Sequence, residues 1–348
     1  MLKKLLPLVL ALVLALVLTL TACGPSSQEV SEDETFTLVT TTYPVYLLAK
    51  EVTRDVEGIT VTCMINQGIG CLHDYTLSIH DMKILDRADL LALSGAGLEE
   101  SMADAIAAAG CPQIDCSVGV ALLESTHEHD HDHGEEAEEA DDHDHDHDHE
   151  DEAEPEEDAH HHEDAAETDY DAHDHEHDNH IWMDPLRAGQ MIQNLAEGLA
   201  QADPANARTY LTNAQAAAAL LAQAHGEIAA SLAELSCREL ITFHDGFAYF
   251  ADTFGLTILR SMEEEAGSEA SAHDVVELLE EIQIHALPAI FTEVNGGTAT
   301  AEMIQRECGI PIYSLDMMMS GPTVDVNGVH TYLDRIIQNA ETLQEAYS

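Results

Sequence analysis

Histidine and carboxylate alternate through residues 124–180, and the run closes on His180-Ile181-Trp182-Met183-Asp184-Pro185. This segment holds 15 of the chain's 22 histidines and 28 of its 67 acidic residues, with no lysine or arginine. Imidazole nitrogens interleaved with carboxylates are ligands for a divalent transition metal. His143, His145, His147 and His149, each followed by an acid, are the densest set and are candidate auxiliary ligands. A tract this polar buries too little apolar surface to offset the entropy of ordering it, so residues 124–179 are expected to be a disordered metal-binding loop. A built site must draw on histidines elsewhere.

The elements that could position them emerge from periodicity. A β-rich run at Thr37–Thr42 passes into a helical pattern with apolar Val45, Leu48, Ala49 and Val52. Strands are expected at 59–65, 89–93 and 116–122, with helices through Met82 and Leu85 and over 98–109. Asp184-Pro185 and Asp203-Pro204 read as helix starts with proline at the first helical position. The second of these carries a seam of Leu211, Ala214, Ala218, Leu221, His225, Ile228, Leu232 and Leu235, which predicts one rod of about 31 residues and ~46 Å. Strand and helix then alternate four more times, with strands at 239–243, 256–260, 289–293 and 311–315 and a last helix over 329–346. The expected architecture is α/β, two four-stranded parallel (βα)4 lobes joined by a long rigid helix, with a site in the cleft between them. Its segments are an N-terminal lobe at 36–123 completed by 180–203, a connecting helix at 204–236 and a C-terminal lobe at 237–348.

In open α/β sheets ligands bind beyond the carboxyl ends of the strands. Metal-capable side chains expected there are His73 after the second strand, His180 after the fourth and its insertion, His244 after the first strand of the second lobe, and Asp316 after the last strand. One such histidine alone is more often a solvated or capping residue. Three imidazoles and a carboxylate converging from two lobes make a four-coordinate, zinc-type set. His225 on the helix seam reads as packed, and His273, His285 and His330 as surface or capping residues. Met317, Met318 and Met319 read as cleft wall rather than a copper(I) site.

Lys3 and Lys4 precede an apolar run from Leu5 to Leu20 and then Thr21-Ala22-Cys23, which reads as a signal peptide over 1–22. Leu-Thr-Ala-Cys resembles the bacterial lipobox, which implies cleavage before Cys23 and its lipidation, with 23–35 a tether. A formal charge of -55 argues against nucleic acid as a partner class and favours cations. Cys63, Cys71, Cys111, Cys116, Cys237 and Cys308 are even in number, and their pairing is open.

The runs His73-Asp74-Tyr75-Thr76-Leu77, His180 to Pro185, and Phe243-His244-Asp245-Gly246-Phe247-Ala248-Tyr249-Phe250 resemble those of the ZnuA/TroA-like solute-binding proteins of bacterial ABC importers. The resemblance implies a metal receptor rather than an enzyme: a monomer anchored through Cys23 on the extracytoplasmic face, capturing Zn²⁺ and delivering it to a permease and its ATPase. It places His73, His180 and His244 on the family's three histidine ligands, Asp316 on its acidic position and Glu293 on a recurrent carboxylate beside the ligands. Manganese members tend to carry a carboxylate where His244 stands, so the resemblance favours zinc, as imidazole chemistry does. The alternatives are a Mn²⁺ receptor of the same group and a surface zinc buffer or adhesin. A zinc hydrolase lacks a recognisable general base. Cys71-Leu72 replaces the acid-proline pair that often precedes the first ligand.

Overall fold

The computed structural model describes residues 35–66, 72, 75–125, 177–262 and 271–348. The first sheet has strands β1 (Phe36–Thr40), β2 (Ile59–Cys63), β3 (Leu90–Leu93) and β4 (Gln113–Asp115), interleaved with helices α1 (Tyr43–Val52), α2 (Ile79–Leu85) and α3 (Ala103–Ala109). Helices α4 (Pro185–Ala202) and α5 (Ala207–Leu232) come next. The second sheet has β5 (Glu239–Thr242), β6 (Thr257–Ser261), β7 (Ile290–Glu293) and β8 (Ile312–Leu315), with α6 (Ala248–Phe254), α7 (Ala272–His285), α8 (Ala299–Cys308) and α9 (Gly328–Ala346).

Both sheets are parallel and share one topology, β2-β1-β3-β4 and β6-β5-β7-β8. The two-lobed α/β expectation holds. Strand order reverses between β1 and β3 and between β5 and β7, the crevice where such sheets take ligands.

The expected fourth strand at 116–122 does not form. Asp115 ends it, because its Oδ1 accepts from Ser117 N at 2.8 Å and Ser117 Oγ at 2.6 Å, and Gly119 turns the chain at φ 69°. A side chain that bonds its own backbone two residues on competes with the ladder, and here it wins over the β-prone Val118 and Val120. The paired strand is therefore only three residues, 113–115.

The connecting helix is also shorter than the predicted rod over 204–236. Asp203 Oδ2 takes Asn206 Nδ2 at 2.7 Å and the Tyr210 hydroxyl at 2.8 Å, which holds 204–206 as a turn and delays the helix to Ala207. Its 26 residues span ~39 Å. The buried stripe is Tyr210, Asn213, Ala214, Ala217, Leu221, Ala224, Ile228 and Leu232, which keeps Ala214, Leu221, Ile228 and Leu232 of the predicted seam and lies one residue earlier at Tyr210, Ala217 and Ala224, while Leu211 is exposed. Asn213 moves it: its amide donates to Val52 O at 3.0 Å and Arg54 O at 2.8 Å, satisfying carbonyls at the end of α1. Burial of this amide is tolerable only with those acceptors, since leaving it unpaired would cost about 1–3 kcal/mol.

The lobes do not have separate interiors. One apolar cluster runs from Leu38 and Leu91 in the first sheet through Leu195 and Leu221 to Phe250, Phe291 and Leu343 in the second lobe. Helix α9 of the second lobe packs against α1 of the first and against α5. A smaller cluster, including Ile241, Leu278, Ile290 and Ile304, fills the outer face of the second lobe. Near the cleft, Asn66 Nδ2 donates to Gly321 O at 2.9 Å and Gly321 N returns a bond to Asn66 Oδ1 at 2.8 Å. Tyr43 and Tyr46 donate to Pro322 O and Thr323 O, each at 2.9 Å. Among the described residues no helix is long and apolar enough to cross a membrane.

Cys63, Cys111, Cys116, Cys237 and Cys308 are free thiols, so the Cys111–Cys116 and Cys237–Cys308 pairings that the sequence allows are not made. Burial pushes the Cys63 thiol up to about 12, so it is held as the inert thiol form. Cys71 lies outside the described residues, as do the signal segment, Cys23 and the tether through 34.

Candidate metal centre

His180 stands three residues after the described chain resumes at His177. Asp178 N donates to Leu123 O at 3.0 Å, and Glu124 and His177 form an antiparallel bridge, so the two arms of the insertion meet there. The Tyr249 hydroxyl from α6 ties both arms, accepting from Leu123 N at 3.0 Å and donating to Asp178 O at 2.7 Å. Arg187 covers the Tyr249 ring at 4.8 Å, donates to Ala121 O, and bridges Asp184 and Asp252 at 2.8 and 3.0 Å.

Asp178 then reaches forward. Its Oδ1 accepts from His180 N at 2.7 Å and sits 3.0 Å from His180 Nδ1, with both side chains almost fully buried. An ionised carboxylate can only accept, so it places the imidazole proton on Nδ1 and leaves the Nε2 lone pair for a metal. After His180 comes one 3-10 turn, Ile181–Met183, all buried. Asp184 caps α4 by accepting from Leu186 N at 2.7 Å, and Pro185 supplies the preset first-turn φ. The turn's centre is Trp182, fully buried, edge-on to His180 at 5.4 Å. Its indole N–H donates to Met317 O at 2.8 Å and its carbonyl accepts from the Tyr332 hydroxyl at 2.6 Å. The His180 segment is thereby bolted to the second lobe.

In that lobe three candidate groups come after adjacent parallel strands: His244 after β5, Glu293 at the end of β7 and Asp316 after β8. The His244 ring lies 5.8 Å from that of His180 and perpendicular to it, at 89°. Glu293 Oε2 is 3.8 Å from His244 Nδ1. Burial and the neighbouring Asp316 push the Glu293 carboxyl up to about 8. Gly246 lines the gap between the imidazoles: a Cβ there would lie 3.2 Å from Cδ2 of both histidines and far inside contact distance of Met317 Sδ. Met317, Met318 and Met319 are all buried, and Met317 lies beside Gly246 at the two imidazoles.

Asp316 is placed differently from a waiting ligand. Its Oδ1 accepts from Met318 N at 2.7 Å, with Met318 in the left-handed region at φ 64°, and its Oδ2 is 3.0 Å from Arg335 Nη1. The structure thus brings His180 and His244 together with Glu293 beside His244, while Asp316 follows the neighbouring strand β8. His73 lies outside the described residues, as do His143, His145, His147 and His149. Among the described residues no three His, Cys, Asp or Glu side chains gather as a metal-holding group. His225 is structural: its Nε2 is 3.1 Å from Thr253 Oγ1 and its ring stacks on Phe254. His273 and His285 pair with Glu277 and Glu239.

A family profile described as ZnuA, zinc-uptake complex component A, periplasmic, matches residues 38–346. The chain belongs to the ZnuA family. A putative metal-binding protein of Treponema pallidum (strain Nichols) is 30% identical over 142 residues, 41% of this chain and 45% of that protein. The zinc-binding lipoprotein AdcA of Streptococcus pneumoniae (strain ATCC BAA-255 / R6) is 25% identical over 168 residues, 48% of this chain and 34% of that protein. The chain thus spans less than half the length of these curated relatives. A crystal structure of ZnuA superposes with TM-score 0.68 at 22% identity, over 90% of this chain and 99% of that one, and so shares the fold.

Sequence reasoning passes over Asp178, Trp182, Gly246 and Arg335. Asp178 carries a usable signal, the Asp-x-His spacing at which a carboxylate bonds the backbone two residues on. Replacing it with alanine is expected to lower zinc affinity about 10- to 100-fold, as removal of a carboxylate behind a ligating imidazole typically does. Competitive titration with a chromophoric chelator reads this directly. An unchanged dissociation constant for Asp178→Ala would refute the orienting role.

Proposed function

We propose that the chain is the extracytoplasmic zinc receptor of an ABC importer. The observation that carries this reading is the perpendicular pairing of His180 and His244, one from each lobe, with Asp178 fixing the tautomer of the first. His73 would complete the three imidazoles. Neutral imidazole is a ligand zinc accepts in preference to the harder, oxygen-seeking manganese ion, and His244 in place of a carboxylate supports zinc. The relatives add support by analogy: the pneumococcal one is called a zinc-binding lipoprotein, which favours lipidation of Cys23 and membrane attachment.

Capture requires neutral histidines, so affinity falls as acid protonates the imidazoles. The core shared between the lobes and the α9–α1 packing oppose a wide hinge motion, so metal loading closes the cleft only slightly. Delivery to the permease and its ATPase then depends on the docked complex rather than on large opening in solution.

Two measurements test the reading. Metal analysis of the purified full chain should find one tightly held zinc, lost on replacing His73 or His244. Deletion of residues 126–176, which spares the bridge at Glu124 and His177, should leave that one tight site and remove only weaker capacity. If the deletion abolishes all zinc binding, the insertion is the working part and the protein is a surface zinc buffer.

A further inference from the structure

Asp316 follows β8, the strand beside β7 and its Glu293, and its carboxylate is held at one oxygen by a fixed cation. Oδ1 accepts from Met318 N, and Arg335 stands on Oδ2 at 3.0 Å, so each oxygen already serves a partner within the protein. The guanidinium is not a wandering surface group. The same Nη1 donates to Ser320 O at 2.8 Å, and the guanidinium carbon lies 5.2 Å from the centre of the Tyr43 ring on the opposite lobe. Gly321 gives it room, since a Cβ there would lie 2.5 Å from Arg335 Nη2 and 2.5 Å from Tyr43 Cζ. Asp316 is held from behind as well: its N donates to Asn339 Oδ1 and its carbonyl accepts from Asn339 Nδ2, each at 2.8 Å. Backbone, carboxylate and guanidinium are all anchored.

We infer that Arg335 is a specificity-determining residue: by occupying Asp316 Oδ2 as a built-in cation, it withholds the carboxylate and leaves the cleft an imidazole site. This rests on the metal-receptor reading and sharpens it. Manganese(II) gains more than zinc from a carboxylate oxygen, because its preference runs to hard ligands, whereas zinc is satisfied by nitrogen donors and water. An Arg-held Asp316 therefore discriminates against manganese. Guanidinium stays charged at every accessible pH, so the discrimination does not switch off with acidity.

The experiment is a double-mutant cycle in the full chain, with zinc and manganese dissociation constants measured by competitive titration and the metal-free melting midpoint recorded for each variant. Asp316→Asn alone is expected to change zinc affinity by less than about threefold, because on this inference Arg335 keeps the carboxylate off the metal and only the weak, partly exposed ion pair is lost. Arg335→Gln, which keeps a donor for Ser320 O, is expected to strengthen manganese binding at least about tenfold with a smaller change for zinc. The pair Asp316→Asn with Arg335→Gln should return manganese to the wild-type value, which a purely structural role of Arg335 would not produce. A loss of zinc affinity of about tenfold or more in Asp316→Asn overturns the inference, as does unchanged manganese binding in a folded Arg335→Gln. If Arg335→Gln shows no cooperative melt, Asp316→Asn alone decides. Wild-type protein that binds neither ion tightly would instead sink the receptor reading, and the inference with it.

Discussion

Alanine at His180 or at His244 is expected to weaken zinc binding by more than the about 10- to 100-fold that a supporting residue costs, because each removes a coordinating nitrogen outright. The two losses should differ in kind. His180 is almost fully buried, braced by Asp178 and by the Trp182 edge, so its removal also leaves Asp178 facing a void and lowers the stability of the metal-free protein. His244 is slightly more open, with 11% of its side chain exposed against 3% for His180, so His244→Ala should cost zinc affinity with a smaller fall in the metal-free melting midpoint. Substituting His143, His145, His147 and His149 together should leave the tight site untouched. Isothermal or chelator-competition titration of the three variants separates these cases. Equal zinc affinity in wild type and His180→Ala would end the case for this cleft.

The second large effect is expected at Gly246, a position with no side chain to lose. Its constraint is space: a Cβ there would press into Met317 Sδ, and Met317 is fully buried with its carbonyl pinned by Trp182. A methyl group must push the thioether aside, and the imidazoles at 3.2 Å leave no other direction. Overpacking of a filled interior costs about 1–3 kcal/mol. Gly246→Ala is therefore expected to lower the metal-free melting midpoint by several degrees and to weaken zinc binding by displacing both rings. Trimming the obstruction with Met317→Ala in the same chain should restore much of both quantities. No recovery in the double variant would place the damage in the backbone of the His244 loop instead.

Much of this is readable from the chain alone, for identifiable reasons. Parallel strands are short apolar runs punctuated by glycine, proline and asparagine, and each helix here repeats its apolar face, so the two lobes and their order emerge from periodicity. His244 and Asp316 stand out because each is a metal-capable side chain just beyond the carboxyl end of a strand, a position that topology identifies without side-chain detail. The fourth strand is misread because Asp115 settles its end through a local hydrogen bond that hydropathy does not register. The helix seam is misplaced by one residue at Tyr210, Ala217 and Ala224 because Asn213, a polar residue, belongs on the buried face to cap α1. Asp178 is lost among 28 acids in its own segment, where composition hides position. Arg335 escapes local reading altogether: it lies 19 residues beyond Asp316, on a different element, and only packing of α9 across the end of β8 makes them partners.

The Tyr249 hydroxyl, bonded to Leu123 N and to Asp178 O, also fixes the two ends of the insertion relative to each other. Because Leu123 and Asp178 are held at one point, the distance between them does not depend on how many residues intervene in the sequence. The entropy of closing a chain between two fixed ends grows only with the logarithm of its length, about 0.6 kcal/mol per doubling. A change in the number of intervening residues is therefore expected to leave the geometry at His180 as it is.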